Sequence, residues 1–166
     1  MHKFLREKKK NSIKKKAIHV LKILEEPINY PKPVSFSRGI CADLGEFRLL
    51  FISGTASVNQ NGNTVQKGDF LGQTRKTFKN LTALLKSEGA SWSDVVKTVC
   101  YLKDMRDYEN FNKIRNKFYR QQKLHPFPAS TCVEANLCRQ DLLVEIEAVA
   151  IVKKLRKEIG NASHKI

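Results

Sequence analysis

No apolar run in this 166-residue chain is long enough to span a bilayer, so a transmembrane helix is excluded. The N-terminus is far too charged to hold the apolar stretch of a secretory signal, and a soluble, cytoplasmic protein is expected. Cysteines are few and poorly spaced. Cys41, Cys100, Cys132 and Cys138 form no CxxC or CxxH pair, which argues against zinc and against a disulfide framework. His2, His19, His125 and His164 are scattered, so no metal and no other cofactor is expected. Acids are scarce too, 16 against 31 Lys and Arg, for a net charge of +15. Met1 to Lys16 holds eight of those basic residues and one acid, Glu7, so this arm supplies nearly half of the excess. A basic arm can hold phosphate non-specifically, which makes nucleic acid a candidate partner. A solvated arm is the favoured reading, because the rest of the chain lacks aromatics interleaved with basic residues on one strand face.

What is present fits one domain of two helices and several strands. Ile13 to Glu25 has helical apolar spacing, and Pro27, Pro31 and Pro33 break it. Val34 to Ala42 reads as a strand. Arg48 to Ile52 (RLLFI) reads as a strand buried on both faces that ends at Ser53-Gly54. Asn59 to Gly68 is a loop of turn formers. Phe70 to Ser87 is an amphipathic helix stopped by Gly89, and Ser91 to Asp94 links it to a β-branched strand, Val95 to Lys103. Asp107 to Gln121 is a second helix, with Tyr108, Phe111, Ile114, Arg115 and Phe118 in register.

Pro128 to Val152 reads as two apolar strands joined by a polar bend. In the second, Val144, Ile146, Ala148, Ala150 and Val152 share a uniformly apolar face, and Glu145, Glu147, Val149 and Ile151 share the other. Two carboxylates on a half-apolar face mark the place to seek a small-molecule site. Two helices can cover only one face of such a sheet. The second apolar face therefore calls for other copies of the chain, with ligand clefts at the boundaries between them.

Taken together, FISGTASV at 51–58, GD at 68–69, QT at 73–74 with NL at 80–81, YENFN at 108–112 and PASTCVE…VEIEAVA at 128–150 resemble the RidA (YjgF, reactive intermediate deaminase) family. The resemblance covers about residues 34 to 152. It implies an α+β, chorismate-mutase-like single domain, with two helices on one sheet face and a homotrimeric barrel closed by the other. The chain then divides into a basic extension with a short helix (1–33), the RidA-like domain (34–152) and a basic tail (153–166).

The family's active members hydrolyse enamines and imines such as 2-aminoacrylate in clefts between subunits, so a small carboxylate is the implied ligand. Gly54, Asn112, Cys132 and Glu145 match family site residues, with Glu145 as the acid that positions or activates water, and Ser53 precedes the glycine. Ser130 stands where the family's active deaminases carry a carboxylate-gripping arginine, and Phe36 where they carry tyrosine. Arg38, on the same strand face as Phe36, is a candidate substitute cation and Arg139 a second; each is alternatively a surface arginine. FSRG at 36–39 and CRQDLLVEIEA at 138–148 are also similar to the C-terminal half of chorismatases, where Cys138 and Glu145 match the motif's cysteine and proton-donating glutamate. An endoribonuclease role, proposed for the family, is a third reading and rests here on the basic arm alone.

Overall fold

Alternating and continuous apolar runs pair into one six-stranded sheet in the computed structural model, which describes residues 13–20, 23–24, 29–30 and 32–154. The strands are β1 (Lys15–Ala17), β2 (Gly39–Asp43), β3 (Phe47–Ala56), β4 (Val95–Leu102), β5 (Ala129–Glu134) and β6 (Val144–Lys153). Their order across the sheet is β1-β2-β3-β6-β4-β5. All neighbours are antiparallel except β4 and β5. A parallel pair needs a crossover, and α2 (Tyr108–Gln121) supplies it. The other helix, α1 (Phe70–Ser87), starts where the Asp69 carboxylate accepts the Gly72 amide at 2.9 Å. This is the single-domain α+β fold that the sequence predicts.

Both helices lie on one face of the sheet. From α1, Phe78, Leu81, Leu84 and Leu85 are essentially fully buried against Leu50, Ile52, Ile146, Ala148 and Ala150 of the central strands. Burying each leucine stabilises the fold by about 1.5–3 kcal/mol. Phe78 stacks on Phe118 of α2 at 4.5 Å between centroids, and buried Trp92 donates its indole N–H to Thr82 at 2.9 Å. Among the described residues nothing covers the opposite face, which is bare in that sense. Phe47, Phe51 and Ile151 are exposed there, with half-buried Leu49, Val99 and Val149 between them. Phe51 alone is 48% exposed. The faces assigned to β6 are as read from its alternation.

Three local expectations are corrected. Ile13 to Glu25 is not a helix over its described residues: Lys15–Ala17 pairs with β2, and the Ile18 amide bonds the Gly39 carbonyl at 2.8 Å. Ile18 and Val20, two apart, are buried together, so this sequence satisfied both periods and the open edge of β2 decided. Residues 21–22 and 25 lie outside the described set, as do 1–12 of the basic arm and 155–166 of the tail. The strand expected from Val34 begins only at Gly39; before it, the Ser37 and Arg38 carbonyls still bond Ser53 of β3, while 34–36 lie outside any strand. β3 does not end at Ser53-Gly54 but continues to Ala56, with a bulge there: Ile52 faces Ala148 while Thr55 faces Ile146.

Candidate functional site

The bulge in β3 is where the chemistry collects. Opposite it, β6 carries Glu145 on the bare face, paired with Ala56 of β3 and with Tyr101 of β4. Gly54 has no side chain to block it. A methyl group there would sit 1.8 Å from a Glu145 carboxylate oxygen, so the acid lies against the glycine Cα. The glycine is needed for space and not for a left-handed turn, since its φ is not positive. Two buried amides of α1 hold the surrounding walls. Asn80 donates to the carbonyls of Ala56 and Val58 at 2.9 and 3.0 Å. Gln73 donates to the Asp141 carbonyl at 2.8 Å and accepts the Leu143 amide at 2.9 Å.

These walls enclose a cavity of about 460 Å³ that holds Phe36, Arg38, Ser53, Gly54, Cys138 and Glu145. Six of the nine residues read from the sequence as site candidates therefore meet in one place. Ser53 donates its hydroxyl to the Ser37 carbonyl at 2.8 Å and its amide to the Arg38 carbonyl at 3.1 Å, tying the segment that carries Phe36 and Arg38 to β3. Arg38 is buried, donates to the Tyr30 hydroxyl at 2.5 Å, and lies 5.6 and 5.7 Å from the Tyr30 and Phe36 ring centroids. Tyr30 also lines the cavity and was missed in the sequence, because its proline-rich surroundings have no periodicity to mark it. Arg139 lines the cavity as well, but its guanidinium donates to the Gly62 carbonyl of the long loop.

Half-burial pushes the Glu145 carboxyl above its ordinary range, the Glu147 charge pushes the same way, and Arg38 opposes them. No group among the described residues donates a hydrogen bond to it, so nothing local holds it ionised apart from that arginine. Burial raises the Cys138 thiol too, as does the Glu145 charge. A protonated thiol is a poor nucleophile, so Cys138 sits in the cavity as a wall or a weak donor. Glu147, on the same face, accepts from the Tyr101 hydroxyl at 3.1 Å.

The remaining three candidates are elsewhere. Ser130 and Cys132 lie beside Thr98 and Cys100 in register, and the cross-strand partners of those two, Ala148 and Ile146, face the helices. Ser130 and Cys132 thus flank the helix side of the sheet at its β5 edge, and Asn112 approaches them from α2. Arg115 joins them: its guanidinium donates to Ser130 Oγ at 3.1 Å and to Asn112 Oδ1 at 2.9 Å. Burial raises the Cys132 thiol while the Arg115 charge lowers it. One copy of the chain therefore keeps its candidates in two groups on opposite faces of the sheet. A larger hollow of about 1070 Å³ beside α1, with Arg75, Lys79 and Lys86 in its lining, contains none of them. No cluster of His, Cys, Asp and Glu fit for a metal occurs among the described residues, and no helix among them is long and apolar enough to cross a membrane.

Residues 29–152 match the family model described as Endoribonuclease L-PSP. A RutC family protein from Pyrococcus horikoshii is 37% identical over 123 residues, covering 74% of this chain and 91% of its own. The crystal structure of the YjgF gene product from E. coli has a TM-score of 0.68 at 27% identity, covering 83% of this chain and 99% of that one. The solution structure of a hypothetical protein from Haemophilus influenzae has a TM-score of 0.68 at 28% identity, over 84% and 98% of the two chains.

Proposed function

The chain belongs to the Endoribonuclease L-PSP (RidA/YjgF/RutC) family, and from that premise we propose that it is a homotrimer binding small carboxylate metabolites in clefts between copies, where it hydrolyses enamines or imines. The observation that carries the reading is the carboxyl of Glu145, half-buried against Gly54 in a cavity with a buried arginine and with no hydrogen-bond donor to it among the described residues. Oligomerisation has separate support. On the sheet face away from the helices Phe47, Phe51 and Ile151 are exposed, and the second residue group stands at the β5 edge. A second copy laid on the bare face is the simplest way to bring such an edge to the cavity.

The chemistry then uses this chain's own groups. An enamine such as 2-aminoacrylate tautomerises to the imine, whose C2 is the electrophile. Water held by Glu145 attacks C2. The carboxylate takes one proton from that water and gives it to nitrogen, then takes the proton of the new hydroxyl and gives that to nitrogen too, so that the C–N bond breaks, the carbonyl forms, and ammonia and pyruvate leave. An acid whose pKa is raised toward neutrality suits both halves of that transfer. Incubation with freshly generated 2-aminoacrylate, following pyruvate against the uncatalysed rate, tests the reading. A rate indistinguishable from buffer would remove it.

A second reading has one specific observation in its favour: Cys138 and Glu145, the pair that resembles the chorismatase motif, line the same cavity. On that reading Glu145 protonates the enol-pyruvyl group of chorismate or a similar enol-ether acid. Pyruvate release from chorismate, absent with 2-aminoacrylate, would favour it over the first.

A further inference from the structure

The group at the β5 edge has a feature that the Glu145 cavity lacks, an arginine directed at candidate ligand-binding residues and not at an acid. Arg115 is half-buried on α2, packed with its guanidinium carbon 5.2 Å from the Phe111 ring centroid. Two of its five N–H groups are engaged, one on the Ser130 hydroxyl and one on the Asn112 amide oxygen. No carboxylate among the described residues pairs with it. That is uncommon for a fixed arginine, because its planar fork is best matched by a carboxylate, and three of its N–H groups remain to make such a match. Both anchors hold the fork in place without neutralising it. Ser130 is itself fixed, accepting from Thr98 at 3.2 Å. In the other group, Arg38 faces Glu145 and is engaged by Tyr30, and the Arg139 guanidinium is turned to Gly62.

We propose that Arg115, held by Ser130 and Asn112, grips the carboxylate of the ligand, while Glu145 of another copy faces the ligand's reacting carbon. The inference rests on the intersubunit reading above and names the residue that supplies its specificity. Position 130 contributes a hydroxyl that orients the cation, and the positive charge comes from the neighbouring helix. The recognised class is a short 2-oxo, 2-imino or 2-amino carboxylate, small enough for the 460 Å³ cavity to cover its other end. A neutral amide of the same shape would be rejected.

The test is calorimetric titration of the full chain with pyruvate and with pyruvamide. The wild type is expected to prefer pyruvate by about 10-fold or more. Arg115→Met is expected to lose that preference while keeping its melting temperature and its sedimentation coefficient. Ser130→Arg in the Arg115→Met background, which returns a guanidinium to the same place, is expected to restore it. Arg115→Met binding pyruvate with the wild-type preference would overturn the assignment while leaving the proposed function standing. A wild type that does not distinguish pyruvate from pyruvamide would overturn the carboxylate reading itself, and this assignment with it. Should Arg115→Met not fold, Arg115→Lys serves instead. It keeps a charge and loses the fork, and is expected to bind pyruvate about 5-fold more weakly, with unchanged affinity counting against the assignment.

Discussion

Adding one methyl group at Gly54 separates the proposed chemistry from the stability of the fold. In Gly54→Ala the new Cβ would stand 1.8 Å from Glu145 Oε1 and 2.7 Å from its carboxyl carbon, whereas ordinary contact begins near 3.4 Å. The carboxylate must therefore retreat by about 1.5 Å. Because only the far end of a flexible side chain has to move, the overpacking cost falls below the usual range of about 1–3 kcal/mol. Replacing a strand glycine by alanine also returns about 0.5–1 kcal/mol of chain entropy, so the two nearly cancel. Catalysis has no such offset. A misplacement of about 1 Å at a reacting group is worth about 100-fold in rate. Gly54→Ala is thus expected to melt within a few degrees of the wild type and to lose about 100-fold in kcat/KM for pyruvate formation from 2-aminoacrylate. Full activity in the folded variant would refute the claim that Glu145 acts from its place against Gly54.

Further outcomes follow from the same geometry. Since burial raises the Glu145 pKa, the folded protein binds the proton more tightly than the unfolded chain, and stability falls as pH rises from the unfolded value near 4.5 through the folded one. Glu145→Gln should therefore be more stable than the wild type at neutral pH and equal to it well below pH 4.5, as urea titrations across that range would register. Phe51→Asp, on the bare face, should convert the assembly to monomers in sedimentation velocity; an unchanged oligomer would mean that this face is not buried. Asn80→Leu should cost about 2–3 kcal/mol in urea unfolding, because it strands the buried Ala56 and Val58 carbonyls; a loss under half that would show that water replaces the amide. Cys138→Ser should retain most pyruvate-forming activity, given the protonated thiol, whereas abolition of activity would give the sulfur a direct role.

Much of this molecule could be read in its sequence, for identifiable reasons. Phe70 to Ser87 and Asp107 to Gln121 are long enough for a helical period to stand out. The alternation of β6 separated the core residue Ile146 from Glu145 because a strand's faces follow strict parity. The segment at Ile13 failed that way: Ala17, Val20 and Leu24 fit a helix, Ile18 and Val20 fit a strand, and the deciding partner, β2, is distant in sequence. The bulge at Ser53-Gly54 was invisible because it is a property of pairing with β6 and not of the residues alone. At the site, Glu145 and Gly54, which the motif resemblance names together, touch in the fold, but the resemblance could not show that Ser130 and Asn112 lie across the sheet from them. Arg115 carried no signal apart from them. It read as one more residue in helical register, and its meaning appears only where α2 meets the β5 edge.

Two disabled variants mixed together probe most directly whether each working cleft is built from two copies. Glu145→Gln removes the acid from one group, and Ser130→Glu sets a negative charge in the other where a carboxylate ligand is to be held. Each alone should be inactive toward 2-aminoacrylate. Unfolded together in equal amounts and refolded, they should assemble at random into trimers in which about a quarter of all clefts join two intact halves, recovering about a quarter of wild-type activity. A mixture that assembles fully and stays inactive would contradict the shared cleft.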